Sequence, residues 1–376
     1  MAKVYFDNAA TSPIRKKVIK YMISFLKKKL GNPSSLHSLG LQSRCIIEYS
    51  RINIAKILNA EPSEIIFTSS GTEANNLLLR SCLNNLNIKY IITSKIEHKS
   101  IIETLNDFYL KNGVIIDFVK LTNNGSIDLK DLESKLKNNN LPILVSLMYV
   151  NNEIGNILDI DSVCNICKKY KAYFHSDTIQ AIGHYNLDLK KIKIDFACGS
   201  AHKFNGPMGI GFAFIRKGLN LKAIITGGSQ ERNTRAGTEN IYGILGMSKA
   251  FEIANFNLKK ERKYIENIKI YCIKQLKKFF PLIIFNGLSD DPFKSIYTIL
   301  NIAIPKKDKM ISFNLDLKGV IVSKGSACNE NRVSHVMKIL FKKKNIKNYS
   351  FLRISLGIFN KKKDVDLLIS GLKKIY

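Results

Sequence analysis

A lysine set among small and polar residues between two apolar runs is the most reactive arrangement in this chain. The stretch Phe196-Ala-Cys-Gly-Ser200-Ala-His202-Lys203-Phe-Asn-Gly206-Pro207-Met-Gly209-Ile-Gly211 reads as a short strand ending at Gly199, a polar loop, and a second strand through Phe212, Phe214 and Ile215. A lysine held between buried strands loses solvation, which favours its neutral amine. A neutral amine is a nucleophile and a base, and it forms a Schiff base with an aldehyde cofactor, most often pyridoxal phosphate (PLP). An arbitrary lysine would instead be a snorkelling surface cation, but its surroundings point to chemistry. Ser200 and His202 beside it carry donors suited to a phosphate. Asp177 follows the run Ala172-Tyr-Phe-His175-Ser at the mouth of a predicted strand, where a carboxylate keeps a pyridine nitrogen protonated, and Gln180 is three residues on. Upstream, Ile65-Ile-Phe67-Thr runs into Ser69-Ser70-Gly71-Thr72 and a helix-like stretch from Glu73 to Leu79. Backbone N–H groups at such a helix start make an anion site.

The elements that must position these groups alternate between short apolar runs and helical patterns. Predicted strands fall at 90–93, 114–118, 143–148, 173–174, 195–197 and 210–215, separated by helix-like stretches. This pattern indicates a mainly parallel sheet covered on both faces, and ligands in such sheets gather at the strand C-termini. His98, Asn152, Asp177 and Lys203 all fall just after predicted strands. Helices are expected over 13–29, 41–58 and 241–280, then strands at 295–302, 320–323 and 352–356 and a closing helix over 364–375. No internal repeat is present.

The chain has 376 residues, 59 Lys and Arg against 30 Asp and Glu, and a formal charge of +29. Such a charge attracts polyanions, yet the lysines are scattered in twos and threes, as at 27–29, 342–344 and 361–363. They are neither gathered on one helix nor interleaved with aromatics, so solvated lysine faces are expected rather than a specific nucleic-acid site. The seven cysteines are irregularly spaced, which fits a reducing compartment rather than a disulfide framework. Cys164-Asn-Ile-Cys167 lies in a helical pattern with no second pair and reads as packing, so no metal site is expected. No apolar run reaches membrane-spanning length, and Asp7 and Asn8 follow Met1 almost at once. A soluble, cytoplasmic protein without a membrane or targeting segment is the expectation.

A set of motifs in fixed order carries a family resemblance: Asp7-Asn-Ala-Ala-Thr11, Gly31-Asn32-Pro33-Ser34-Ser35, Glu97-His98-Lys99, Asn151-Asn152-Glu153-Ile-Gly155, Asp177-Thr-Ile-Gln180, Ser200-Ala-His202-Lys203, Arg235-Ala-Gly237-Thr238-Glu-Asn240, Ser323-Lys-Gly-Ser326-Ala-Cys328 and Arg353-Ile-Ser-Leu-Gly357. Together they resemble the cysteine desulfurases of the NifS/IscS type, within the class V aminotransferase group of fold-type-I PLP enzymes. The resemblance spans almost the whole chain. It implies an α/β fold with a mainly parallel mixed sheet flanked by helices and a smaller α+β C-terminal domain. Residues 13–255 would form the large PLP-binding domain, and residues 1–12 and 256–376 the small domain carrying a mobile Cys328 loop.

The resemblance also implies roles. Lys203 would hold PLP and act as base, Asp177 would keep the ring charged, Gln180 would bond the ring hydroxyl oxygen, and His98 would stack on the ring and shuttle protons. Gly71, Thr72, Ser200, His202 and Thr238 would bind phosphate. Thr238 would reach that of a neighbouring subunit, implying a homodimer with shared sites. Asn152 would orient ring and substrate, while Asn32 and Arg353 would meet the substrate carboxylate. Cys328 stands in Gly325-Ser326-Ala327-Cys328-Asn-Glu-Asn331, a small and polar run with little apolar surface to bury a thiol against. An exposed thiolate there would take sulfur from L-cysteine as a persulfide, releasing L-alanine. The sulfur would pass to an acceptor protein such as an iron-sulfur scaffold, for cluster assembly or tRNA thiolation. The alternatives are another class V PLP enzyme, a selenocysteine lyase or aminotransferase, or a basic scaffold or RNA-binding protein that keeps a degenerate PLP fold.

Overall fold

The computed structural model describes residues 3–139, 141–305, 308, 310–324, 334–342 and 346–375. The strands in chain order are β1 (Val4–Tyr5), β2 (Ile65–Thr68), β3 (Tyr90–Thr93), β4 (Ile115–Phe118), β5 (Ile143–Ser146), β6 (Tyr173–Ser176), β7 (Phe196–Ser200), β8 (Gly211–Ile215), β9 (Ile284–Phe285), β10 (Ile299–Ile304), β11 (Val320–Ile321) and β12 (Ser350–Ser355). Seven of them make one sheet in the order β2-β8-β7-β6-β5-β3-β4. Only β8 runs against its neighbours, so the sheet is mixed and mostly parallel, as the alternating pattern predicts.

Strict alternation along these strands feeds two cores. Ile65, Phe67, Ala197, Phe212 and Phe214 enter one apolar cluster, while Ile66, Phe196, Cys198, Ala213 and Ile215 enter the other on the opposite face. β2, β5, β7 and β8 are therefore buried on both sides, which is what a continuous apolar run encodes when helices cover the sheet, while the edge strand β4 is not. Cys164 and Cys167 lie buried in the helix Ile160–Lys169 and pack into the first cluster; burial pushes the Cys164 thiol up to about 12. That agrees with packing rather than redox work.

A second, antiparallel sheet has the order β12-β10-β9. β1 pairs in parallel with β11, and the chain after it joins β12: Ser355 donates its N–H to the Phe6 carbonyl, and Asp7 bridges Ser355. Residues 4–9 are thus built into the C-terminal strands. The helix Ile241–Phe279, capped by the Asn240 side chain, packs against the helices Lys16–Leu26, Ser38–Leu58 and Lys362–Lys373 and so ties both sheets together. One expectation needs correction: the strand anticipated from 295 starts only at Ile299. Ser295 bridges Asn156, and Ile296 donates to the Gly155 carbonyl, so residues 295–298 are spent on the large-sheet side before β10 begins.

Candidate active site

β6, β7 and the start of the helix Gly71–Asn85 converge on one cavity of about 250 Å³. Its walls carry Gly71, Thr72, His98, Asn152, Asp177, Gln180, Ser200, His202, Lys203 and Arg353, ten of the residues singled out from sequence. Lys203 closes a single 3-10 turn, Ala201–Lys203, between β7 and β8. Its Nζ donates to the carbonyls of Ala9 and Ala10, each at 2.7 Å. The same N-terminal turn accepts from Gln180, whose Nε2 lies 3.0 Å from the Ala9 carbonyl. Asp177 follows β6 directly and is 5 % exposed. One of its oxygens accepts from Asn75 Nδ2 at 2.8 Å, the other from the Ile179 N–H at 3.0 Å. Asn75 is itself oriented by Ser100 and by the Cys198 thiol, which donates to its Oδ1.

The cavity also borders a helix N-terminus. Ser70 caps it by accepting the Glu73 N–H, and the Glu73 carboxylate accepts from the Ser69 N–H and from Arg235. A Cβ at Gly71 would stand 2.2 Å from Ile179 Cδ1, so any larger residue there must displace the Ile179 side chain. His202, which also lines the cavity, keeps a buried Nδ1 with no partner among the described residues, and burial, reinforced by the neighbouring Lys203 charge, pushes its ring down to about 4. A neutral ring with an unspent nitrogen can serve a phosphate oxygen as donor.

His98 sits at the N-cap of the helix Lys99–Asn112, where its Nδ1 accepts the Ser100 N–H at 3.1 Å. Nδ1 is thereby committed and Nε2 is the nitrogen left for chemistry. Burial lowers the His98 pKa; Asp177 opposes this, and Lys203, His335 and Lys99 add to it. Arg353, in β12, is buried: Nη2 donates to Asp7 Oδ1 at 2.8 Å, Nη1 to the Asn152 carbonyl at 2.9 Å, and Nε has no partner among the described residues.

Two sequence candidates lie elsewhere. Asn32 is exposed in its loop, where its side chain accepts the Ser34 N–H, and it does not line the cavity. Thr238 is exposed and borders a separate depression with Thr68, Ser69 and Arg235. Cys328 lies outside the described residues. The sequence reading missed the Ala9 and Ala10 carbonyls, Asn75, Met148 and the buried acids Glu97 and Glu153. The first are backbone atoms, without a side-chain signal. Glu97 and Glu153 stood inside quoted motifs, and a carboxylate next to a candidate histidine was the available clue.

The residues present fit PLP. A buried carboxylate, an amine, a helix N-terminus, an unspent imidazole nitrogen and a guanidinium share one enclosure, the donor set that an anionic, nitrogen-bearing ring and an amino-acid carboxylate demand. The described residues contain no group of His, Cys, Asp and Glu able to hold a metal ion.

Residues 4–368 match the family model described as aminotransferase class-V. The chain is 39 % identical to the cysteine desulfurase IscS of Dictyoglomus turgidum over 99 % of its own length and 94 % of that protein's. Among solved structures, a NifS-like protein superposes with a TM-score of 0.91 at 33 % identity, covering 99 % of both chains. SspA in complex with cysteine superposes with a TM-score of 0.80 at 27 % identity, covering 96 % of this chain and all of the other. The fold, the cavity and these similarities agree: the chain belongs to the class V aminotransferase family and, within it, to the PLP-dependent cysteine desulfurases of the NifS/IscS type.

Proposed function

We propose that this chain converts L-cysteine to L-alanine and takes the released sulfur onto Cys328 as a persulfide. The observation that carries the reading is the meeting of Lys203, Asp177, His98 and Arg353 around one cavity that also borders the Gly71 helix start. Asp177 and Gln180 would hold PLP at its ring and Gly71, Thr72, Ser200 and His202 at its phosphate, and bound there it would supply an electrophilic carbonyl and a protonated electron-accepting ring. Arg353 and Asn152 orient the substrate, Arg353 through its planar fork to the α-carboxylate, with Asn32 closing from its exposed loop. Lys203 removes the proton from the substrate Cα and returns one to the carbon that the sulfur leaves. His98 Nε2, on a ring kept neutral by burial, relays protons at the substrate thiol. At Cys328 an S–S bond forms as the substrate C–S bond breaks, and protonation leaves alanine.

Thr238, exposed and outside the cavity, would serve the phosphate of a second copy in a homodimer with shared sites. A sulfur-acceptor protein such as an iron-sulfur scaffold then takes the persulfide sulfur, in a reducing, cytoplasmic setting that suits free thiols. No helix among the described residues is long and apolar enough to cross a membrane.

The test is to add L-cysteine to the purified holoenzyme and follow Cys328 by mass spectrometry as alanine appears. A gain of one sulfur on Cys328 is expected, and Cys328→Ala should keep its PLP absorbance yet release no sulfur. Undiminished sulfur release by Cys328→Ala would remove this thiol from the reaction. Release only from selenocysteine, or amino transfer to a keto acid, would favour the sister activities, and a colourless protein a degenerate scaffold.

A further inference from the structure

The turns that present His98 and Asn152 are laced to each other and then gripped from outside by two residues with no assigned role. Glu97 Oε1 accepts the Met148 N–H and the Ser94 hydroxyl, each at 3.0 Å. Asn151 Nδ2 donates to the Ile96 carbonyl at 3.0 Å, while its Oδ1 accepts the N–H groups of Glu153 and Ile154. Across this double turn lies the start of the helix His335–Leu340. Ser334 Oγ accepts the Val336 N–H at its own helix cap, so its proton is free for the Glu153 carboxylate, to which it donates. His335 Nε2 bonds the Glu97 carbonyl at 3.0 Å, one peptide from His98. Asn301 holds the Glu153 carbonyl and Arg353 that of Asn152, so the backbone at 152–153 is fixed from β10 and β12 as well. Glu153 is 1 % exposed. A carboxyl so deeply desolvated keeps its position only while its hydrogen bonds are made.

We propose that Ser334 and His335 are positioning residues for desulfuration: they clamp, through the Glu153 carboxylate and the Glu97 carbonyl, the two turns that set Asn152 and His98 in the cavity. The inference rests on the site assignment made above. Neither residue touches the cavity, so the effect is on the placement of groups that do. An error of an ångström in such groups costs as much as a hundredfold in rate, and loss of one neutral hydrogen bond with partial relaxation costs about tenfold. His335 also acts by charge. The charged and titratable groups facing His98 are Asp177, Lys203, His335 and Lys99, and removing His335 from this set moves the His98 pKa upward.

The experiment compares Ser334→Ala, Ser334→Thr, His335→Ala and His335→Gln holoenzymes with the parent for PLP absorbance, thermal midpoint, kcat, and the pH profile of kcat. The alanine variants are expected to keep PLP and midpoint and to lose about tenfold in kcat. Ser334→Thr, which keeps the hydroxyl, and His335→Gln, which keeps a donor, should restore kcat at the optimum. His335→Gln should nevertheless share with His335→Ala an acid limb shifted to higher pH. Parental kcat in the alanine variants overturns the proposal. So does a loss that follows the midpoint and is not rescued by Thr or Gln, because that is a folding defect. Failure of the underlying site assignment reads differently, as a parent enzyme that carries no PLP absorbance and gains no sulfur on Cys328.

Discussion

Replacing Glu231 by alanine should destabilise the chain sharply and loosen the loop that carries Thr238. Arg51 and Glu231 form a buried bidentate pair, with side chains 3 % and 1 % exposed and both guanidinium contacts at 2.8 Å. Glu231 Oε2 also accepts the Phe67 N–H of β2 at 2.7 Å, and the guanidinium lies over the Phe67 ring. The pair holds an unfavourable backbone, since Glu231, Arg232 and Asn233 take φ of 45°, 57° and 62° in succession. Left-handed conformations cost L-residues about 1–2 kcal/mol each, less for asparagine. In Glu231→Ala the Arg51 charge is left buried without its main partner, a loss of roughly 3–5 kcal/mol. Scaled to 376 residues, the usual unfolding entropy amounts to ~0.8 kcal/mol per degree, so the thermal midpoint should fall by about 4–6 °C. Differential scanning calorimetry of the holoenzyme measures this. The double variant Arg51→Met with Glu231→Met, which removes both charges, should recover most of the loss. A Glu231→Ala midpoint within a degree of the parent, or a double variant as poor as the single, would refute the reasoning.

Three further outcomes follow from the site. Gly71→Ala drives a methyl against Ile179, on the cavity wall beside Asp177, and should cost about 1–3 kcal/mol by overpacking and weaken PLP retention on dialysis. Lys203→Ala should lose the imine absorbance of the purified protein and all sulfur release, while its fold, read by circular dichroism, persists. Burial pushes Glu97 up to about 8, against an unfolded value near 4.3. Its carboxyl therefore binds a proton in the folded state that the unfolded chain has already released. The associated stability is full below about pH 4 and is lost as pH rises through 8. Glu97→Gln should flatten the fall in thermal midpoint between about pH 5 and pH 8, and an unchanged fall would show that another group titrates.

Most of the fold was legible because each sheet strand is a short apolar run between helical patterns, and the reactive groups fall where those runs end. The place of Lys203 in the cavity was legible from its neighbours, since a strand, a polar turn and a second strand leave it one place to be. What eluded the sequence is of two kinds. Ala9 and Ala10 act through carbonyls, and no residue type advertises a carbonyl. The strand at 295 was misplaced because the bridge from Ser295 to Asn156 connects segments far apart in the chain, a tertiary contact that periodicity does not encode. The helix Leu129–Lys137 was passed over although Asp128 caps it through its side chain. Its single short amphipathic face gave too little pattern. Thr238 and Asn32 were named from motif order, which carries no information on which cavity a side chain will border.

The lacing of residues 4–9 into the C-terminal strands bears on how the protein is made. The turn whose carbonyls receive Lys203 is itself held by Ser355, which accepts the Ala9 N–H on its hydroxyl and the Asn8 amide on its carbonyl. On the ribosome, Asn8 and Ala9 must wait until more than three hundred other residues have been synthesised before they find those partners. A nascent chain with a finished seven-stranded sheet therefore has Lys203 but not the seat its amine takes, which is complete only once Ser355 has been made.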